Sequence, residues 1–280
     1  MKNSSHRIAG IIVLYNSDYS VLENIKSFIE NLDLLIVSDN SEVINIDLKN
    51  KIQQISNKVL YASNNGNIGL CKALNNACRY LYKNGYTHAI YFDDDTKILS
   101  GYCNFLEYAF TLNDAAIISP LYSFDRNKTK KGNKIKKINF TFTSASIFNL
   151  NIMNELGYFD ELMFLDCIDY EYCLKARKNG YLILENPCMI VQHRPAITQE
   201  IKVLGKTIKY GIHSPLRYYY QIRNLKYLSR KYHSVYCYKR YLIKILKVYL
   251  LFKDKEEYIK MIKKAKLDYK KHRMGEFNEN

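Results

Sequence analysis

Short apolar runs alternate with longer amphipathic ones along the first part of this chain. Ile8 to Leu14 is continuously apolar and stops at Tyr15-Asn16-Ser17-Asp18, and a segment with Leu22, Ile25, Phe28, Ile29 and Leu32 at helical spacing follows. Leu34 to Val37 ends in Ser38-Asp39-Asn40-Ser41, and Val59 to Ala62 ends in Ser63-Asn64-Asn65-Gly66-Asn67. Leu70, Leu74, Ala77, Cys78 and Leu81 then carry a helical period into a fourth apolar run, Ala89 to Phe92, closed by Asp93-Asp94-Asp95-Thr96. Continuous apolar runs of this length are strands buried on both faces, and their alternation with helices predicts an α/β fold with a largely parallel, doubly wound sheet. All four strands end in polar residues, so their ends converge on one crevice, where open α/β sheets bind ligands.

Further along, Gly101 to Leu112 reads as a helix and Ala115 to Ser119 as a strand. Asn139 to Phe148 alternates, is β-branched and aromatic, and reads as a strand that brings Thr143, Ser144 and Ala145 to the crevice. Between them, Arg126 to Lys137 is a basic loop, either solvated or able to close over a phosphate-bearing substrate. A helix starts at Asp169 and stops at Asn179-Gly180, and Cys188 to Gln192 is a strand leading to His193. Ser214-Pro215 pairs a capping residue with proline at the first helical position and starts a helix running to about Tyr232. Two basic amphipathic helices follow. One sets Tyr241, Leu242, Ile245, Leu246, Val248, Tyr249 and Phe252 against Lys239, Arg240, Lys244 and Lys247; the other sets Tyr258, Met261, Ile262, Ala265 and Tyr269 against five lysines.

Charge sharpens this division. The net charge is +15, yet residues 1–200 hold 21 Lys/Arg and 21 Asp/Glu, so the whole excess lies in residues 201–280, with 21 bases against 6 acids. We therefore expect a catalytic domain at 1–213, with a binding part at about 8–119 and a second part at about 120–213, followed by a basic helical tail at 214–280. A basic amphipathic tail fits an anionic membrane surface, packing on the rest of the chain or on a second copy in a homo-oligomer, or nucleic acid. A nucleic-acid-binding protein would leave the charge-neutral, acid-bearing crevice without a purpose, so nucleic acid is not the expected partner. Seven cysteines without a Cys-x-x-Cys pair argue against a disulfide framework and a structural zinc. No apolar run is long enough to span a bilayer and no signal-peptide pattern opens the chain, so the expected location is cytoplasmic, peripheral at the inner face of the cell membrane.

The candidate chemistry sits at the strand ends. Asp93 and Asp95 share one face of an extended chain, and two hard oxygen donors suit Mg²⁺ or Mn²⁺, which complete their shell with phosphate and water; the same triplet also fits a solvated loop capping the next helix. Asp39 can accept from a base imide or a ribose hydroxyl, or simply cap a turn, and the Asn64–Gly69 segment offers amides at a helix start or merely a turn. Asp169, at a helix start, is either a cap or a carboxylate kept ionised by the helix dipole, as a general base must be. His193 is either structural or a metal or phosphate ligand.

Five motifs then stand in order: Val-Leu-Tyr-Asn (13–16), Ser-Asp-Asn-Ser (38–41), Asn-x-Gly-Asn-Ile-Gly-Leu (64–70), Phe-Asp-Asp-Asp-Thr (92–96) and Leu-Asp-Cys-Ile-Asp-Tyr-Glu-Tyr-Cys-Leu-Lys (165–175). Over residues 8 to 232 the chain resembles the family 2 inverting glycosyltransferases, nearest their rhamnosyltransferase-like branch. That resemblance implies a GT-A fold, a nucleoside-diphosphate sugar donor, a divalent metal bridging its phosphates, and a glycan or lipid-linked acceptor in cell-surface polysaccharide synthesis. By position it implies that Asp169 is the base, with Asp166 and Glu171 as rivals. Asp39 becomes the base-binding acid, and Tyr15, Asn16, Asn40, Asn67, Gly69, Asp93, Asp94 and Arg223 line the donor. Asp93, Asp95 and His193 become metal contacts. Two positions depart from the family pattern: Ile168 stands where many members have an acid, and Ser144-Ala145 where Ser-Gly is common. A nucleotidyltransferase would need the same acidic crevice but would release pyrophosphate instead of a nucleoside diphosphate.

Overall fold

The computed structural model describes residues 7–112, 114–124, 132, 134–192, 196–203 and 206–279. Contacts divide the chain into two units, residues 1–159 with 172–193 and residues 160–171 with 194–280. The break expected at 213/214 therefore falls inside the second unit.

In the first unit, β1 (Ile8–Leu14), α1 (Ser20–Phe28), β2 (Leu34–Asp39), α2 (Ile46–Ile55), β3 (Val59–Ser63), α3 (Leu70–Lys83) and β4 (His88–Phe92) follow the alternation in the sequence. Strands β3, β2, β1 and β4 lie side by side and parallel. Both faces of β1 and β4 are covered, as their uninterrupted apolar runs require. Phe28 of α1 stacks on Phe92 of β4 with centroids 3.8 Å apart, so the last core residue before Asp93 is locked from the helical side. Truncating such a ring costs about 3–5 kcal/mol.

Beyond β4 come β5 (Lys97–Ser100), α4 (Tyr102–Ala109), β6 (Ala115–Ser123), β7 (Lys136–Lys137), β8 (Ile147–Asn149), α5 (Leu150–Leu156), α6 (Ile168–Lys178) and β9 (Leu182–Gln192). The sheet order is β3-β2-β1-β4-β8-β6-β9-β5, with β7 beside β9; β8, β5 and β7 run antiparallel to their neighbours while β6 and β9 are parallel. Gly101, at φ 78°, opens α4 where any Cβ would stand 1.8 Å from the Cys188 carbonyl oxygen, so no other residue fits there.

Several expected boundaries move. The strand expected from Asn139 to Phe148 shrinks to Ile147–Asn149, because Ala145 turns left-handed (φ 53°) and only a single bridge, Tyr91 to Ser144, precedes β8. The helix expected over 101–112 ends at Ala109, and the strand expected at Cys188–Gln192 is the end of an eleven-residue one. Of the basic loop, 126–131 and 133 lie outside the described residues; Lys136 and Lys137 pair with β9, where Lys136 meets Glu185 at 2.8 Å.

The second unit holds the hairpin β10 (Ile197–Val203) and β11 (Lys206–Ile212), then α7 (Pro215–Lys231), α8 (Val235–Leu251) and α9 (Glu256–Lys270). Ser214 Oγ caps α7 by accepting from the Arg217 amide. The faces of α8 follow the expectation only in part. Tyr241 and Val248 of the apolar face are buried, with Cys237, but Lys244 and Lys247 also turn inward: Lys244 Nζ donates to Gln221 Oε1 at 2.6 Å and Lys247 Nζ to the Gly211 carbonyl. Leu242, Ile243, Leu246 and Leu250 are left exposed, Leu250 at 73%. The physical reason is that the inner surface offers carbonyl and amide acceptors that a lysine can satisfy and a leucine cannot. No helix among the described residues is long and apolar enough to cross a membrane.

Candidate functional site

In the first unit the polar strand ends knit into one network. The Asn40 amide donates to the Leu14 carbonyl at 2.8 Å, and Asn64 Nδ2 donates to both Ser38 Oγ and Asn40 Oδ1 at 2.8 Å, tying the ends of β1, β2 and β3 together. The Asn16 amide, in a left-handed residue at φ 51°, donates to Ser41 Oγ at 2.9 Å. Asp39 is 4% exposed; its Oδ1 accepts from the Ser41 amide at 2.8 Å and its Oδ2 from the Tyr61 hydroxyl. Burial, then Asp39 itself, holds the Tyr61 phenol well above its ordinary range, so that proton stays on the tyrosine. Tyr15 is half exposed and donates to Glu42 at 3.1 Å. Asn67 Oδ1 accepts from the amide of Gly69, whose φ of 85° brings the chain into α3 without a Cβ penalty.

The triple aspartate leaves β4 on a turn in which the Thr96 amide donates to the Asp93 carbonyl at 3.1 Å and Thr96 Oγ1 accepts from the Asp93 amide at 2.8 Å. The three acids are not equivalent. Asp94 accepts from Ser17 Oγ at 2.6 Å, and Asn24 Nδ2 donates to its carbonyl at 2.6 Å, which fastens the turn to the start of α1. Asp93 is half-buried and Asp95 exposed. Thr96 Oγ1 lies 3.0 Å from Ser144 Oγ, and the Tyr122 hydroxyl donates to the Ser144 carbonyl at 2.7 Å, so the segment before β8 is fixed beneath this turn. Left-handed Ala145 stands next to Ser144, a conformation glycine takes without strain. The described residues hold no cluster of three or more metal-ligating side chains, and His193 lies outside them.

The second unit carries the remaining acids, and their partners separate them. Asp166 accepts two bonds from Arg217, Nε at 3.0 Å and Nη2 at 2.7 Å, and a third from Gln221 Nε2 at 3.2 Å. Glu171 is 0% exposed and accepts from Tyr232 at 2.6 Å and from Lys231 at 3.2 Å, while Lys231 also meets Asp160 at 2.7 Å. Asp169, by contrast, is in no ion pair among the described residues; its Oδ1 accepts from the Tyr170 amide at 2.8 Å in the first turn of α6. Burial pushes its carboxyl up to about 7, and the charge of Asp166 adds to this, against the opposing pull of backbone amides and Arg240. The expectation that the helix start would keep Asp169 fully ionised is thus overruled by desolvation.

Arg223, expected against the donor, is 1% exposed. Its guanidinium donates to the Gly275 carbonyl at 2.7 Å and to the Tyr219 hydroxyl at 3.1 Å. Sequence reasoning also overlooked the β10–β11 hairpin, although Ile197, Ile201 and Val203 and then Ile208, Tyr210 and Ile212 give the period-two signal. It overlooked the Asp160–Lys231–Glu171 network as well, for which the sequence carries no local signal.

No protein-family model matches the chain. The dTDP-rhamnosyl transferase RfbF of Shigella flexneri is 30% identical over 249 residues, covering 81% of each protein. Among solved structures, GalNAc-T7 with UDP, GalNAc and Mn²⁺ superposes with a TM-score of 0.59 at 14% identity, covering 94% of this chain and 55% of that one, so the chain spans about half its length. TarS 1–349 of S. aureus in complex with UDP-GlcNAc gives 0.56 at 13% identity, covering 94% of this chain and 81% of that one. These structures share the GT-A architecture with this chain. The chain belongs to the rhamnosyltransferase-like branch of the family 2 glycosyltransferases.

Proposed function

We propose that this glycosyltransferase moves a sugar, rhamnose in the first instance, from a nucleoside-diphosphate donor to a hydroxyl of a lipid-linked glycan, with inversion at the anomeric carbon. The observation that carries the reading is the distribution of partners among the acids of residues 166–171. Asp166 and Glu171 are committed to Arg217 and Lys231, whereas Asp169 is left with a helix amide and a carboxyl near 7, matched to taking a proton at neutral pH. The acceptor hydroxyl oxygen would attack the anomeric carbon, its proton would pass to Asp169, and the bond from that carbon to the diphosphate oxygen would break. The negative charge would leave with the nucleoside diphosphate.

On the donor side, Asp39, steadied by Ser41 and Tyr61, would accept from the nucleobase or ribose, with Tyr15, Asn16, Asn40, Asn67 and Gly69 around it. Asp94 would hold the turn, and Arg223 would brace the second unit instead of meeting the donor. Asp93 and Asp95 fit Mg²⁺ or Mn²⁺: two hard carboxylates at one turn are the protein share of a shell completed by diphosphate and water. A cation held there supplies positive charge to the departing diphosphate. The exposed leucines of α8, in a segment with 21 bases against 6 acids, suit an anionic lipid surface and hence a lipid-linked acceptor. The test is incubation with dTDP-rhamnose and extracted lipid-linked glycan. Release of dTDP with formation of a product of opposite anomeric configuration supports the reading. Release of pyrophosphate would favour nucleotidyl transfer, and retained configuration would end the single-displacement assignment.

A further inference from the structure

The loop that leads into α6 holds a backbone few L-residues adopt. Phe164, Asp166 and Cys167 stand at φ 59°, 62° and 64°, and none is glycine. Such residues persist only where their surroundings over-determine them. Here the constraint comes from two directions within the second unit. From α7, the single amide of Asn224 donates through Nδ2 to the carbonyls of Met163 at 2.9 Å, Leu165 at 2.7 Å and Asp166 at 3.0 Å. From beyond α9, the Gly275 amide donates to the Leu162 carbonyl at 2.7 Å, and the Gly275 carbonyl accepts from Arg223 at 2.7 Å. The Phe277 amide donates to the Tyr220 hydroxyl at 2.8 Å, and the Phe277 ring meets that of Tyr219 edge-on at 4.8 Å. Tyr220 in turn stacks on Phe164, with ring centroids 5.5 Å apart. Asn224 is fully buried, so its amide has no competing water.

We propose that Asn224 and the segment Gly275–Phe277 are positioning elements for the transfer reaction, holding the loop Met163–Cys167 so that Asp169 points at the attacking oxygen. The inference rests on the reading of Asp169 as base. It makes the far end of the chain part of the machinery that sets the rate, with no contact to either substrate.

The experiment compares four full-chain or shortened variants: a chain stopped after Met274, Asn224→Ala, Gly275→Ala and Asp169→Asn. Gly275 sits at φ 82° with nothing within 4 Å of an added Cβ, so Gly275→Ala loosens the segment without a clash. Activity is read as dTDP release from dTDP-rhamnose with water as acceptor, and dTDP affinity is measured by titration, with circular dichroism as the check on folding. The expected result is a fall in kcat of tenfold or more for the stopped chain and for Asn224→Ala, and of two- to fivefold for Gly275→Ala, with dTDP affinity within twofold throughout. Wild-type kcat in a folded stopped chain, while Asp169→Asn is inactive, overturns the brace and leaves the base reading standing. Equal losses in kcat and dTDP affinity also overturn it, in favour of a general loss of structure. If the stopped chain does not fold, Gly275→Ala decides, and unchanged kcat there overturns the inference. Turnover in Asp169→Asn instead removes the base reading, and the brace with it.

Discussion

Arg217 holds Asp166 through two parallel bonds, Nε at 3.0 Å and Nη2 at 2.7 Å, three residues before Asp169. A bidentate pair fixes a carboxylate in plane as well as in place, here beside the candidate base. Burial raises the Asp169 carboxyl, and the charge of Asp166 adds to it. Among the described residues, Asp166, Cys167, Tyr170, Cys237 and Arg240 face Asp169, and Asp166 is the acid among them. Asp166→Asn should therefore move the acidic limb of the kcat–pH profile from near 7 to lower pH. A limb that stays put, or rises, would show that Asp166 does not set it.

Asp169→Asn should cost transfer at least about a thousandfold while leaving donor affinity in place, since a base acts only on the proton in flight. The same change should stabilise the fold above neutrality. With a folded carboxyl near 7 against about 3.9 unfolded, the protonated native form is the favoured one. The stabilising contribution is complete below the unfolded value and is lost as pH rises through 7. Urea titrations should show the variant more stable by roughly 2–4 kcal/mol at pH 8 and equal to the wild type near pH 4. A variant less stable at pH 8 would contradict the desolvation argument.

Lys231→Met should destabilise by about 3–5 kcal/mol, because it removes the cation that faces Glu171, which is 0% exposed, and a partner of Asp160. Chemical denaturation would register this as a lower midpoint at constant slope. The double variant Lys231→Met with Glu171→Gln should recover part of the loss.

Asp95 is exposed, so Asp95→Ala should leave the unfolding midpoint within about 0.5 kcal/mol of wild type. Its effect should fall on donor affinity, and only while Mn²⁺ or Mg²⁺ is present. Calorimetric titration of dTDP with and without chelator separates the two terms, and equal affinities for wild type and variant in Mn²⁺ would remove Asp95 from the cation site.

Leu246→Glu with Leu250→Glu should abolish flotation with vesicles containing anionic lipid, without lowering stability, since both side chains already face water. Undiminished flotation would move the lipid contact elsewhere.

The four parallel strands and the polar ends of β1 to β4 are legible in the sequence because each is a local pattern, an unbroken apolar run closed by Asp, Asn or Ser. The resemblance adds Asp39, Asp93 and Asp169 as expected site positions. What the sequence hides is partnership across distance. Asp166, Asp169 and Glu171 are near-equals on paper, and only Arg217 and Lys231, some fifty to sixty residues away, tell them apart. Arg223-Asn224 reads as a motif, yet nothing local reveals that the Asn224 amide serves backbone carbonyls. The faces of α8 defeat helical periodicity for the same kind of reason: an inner surface of carbonyl and amide oxygens draws Lys244 and Lys247 inward against their hydropathy.

That inversion gives the two last helices different responses to ionic strength. Lys244 and Lys247 are engaged internally and add little to the field outside α8, whereas Lys260, Lys263, Lys266 and Lys270 of α9 are exposed. At 1 M salt the Debye length falls to about 3 Å, so attraction exerted by α9 fades, while apolar burial by the leucines of α8 is untouched or strengthened. Attachment to a lipid surface would then pass from a charge-led encounter to a salt-resistant hold, with one helix setting how fast the protein arrives and the other how long it stays.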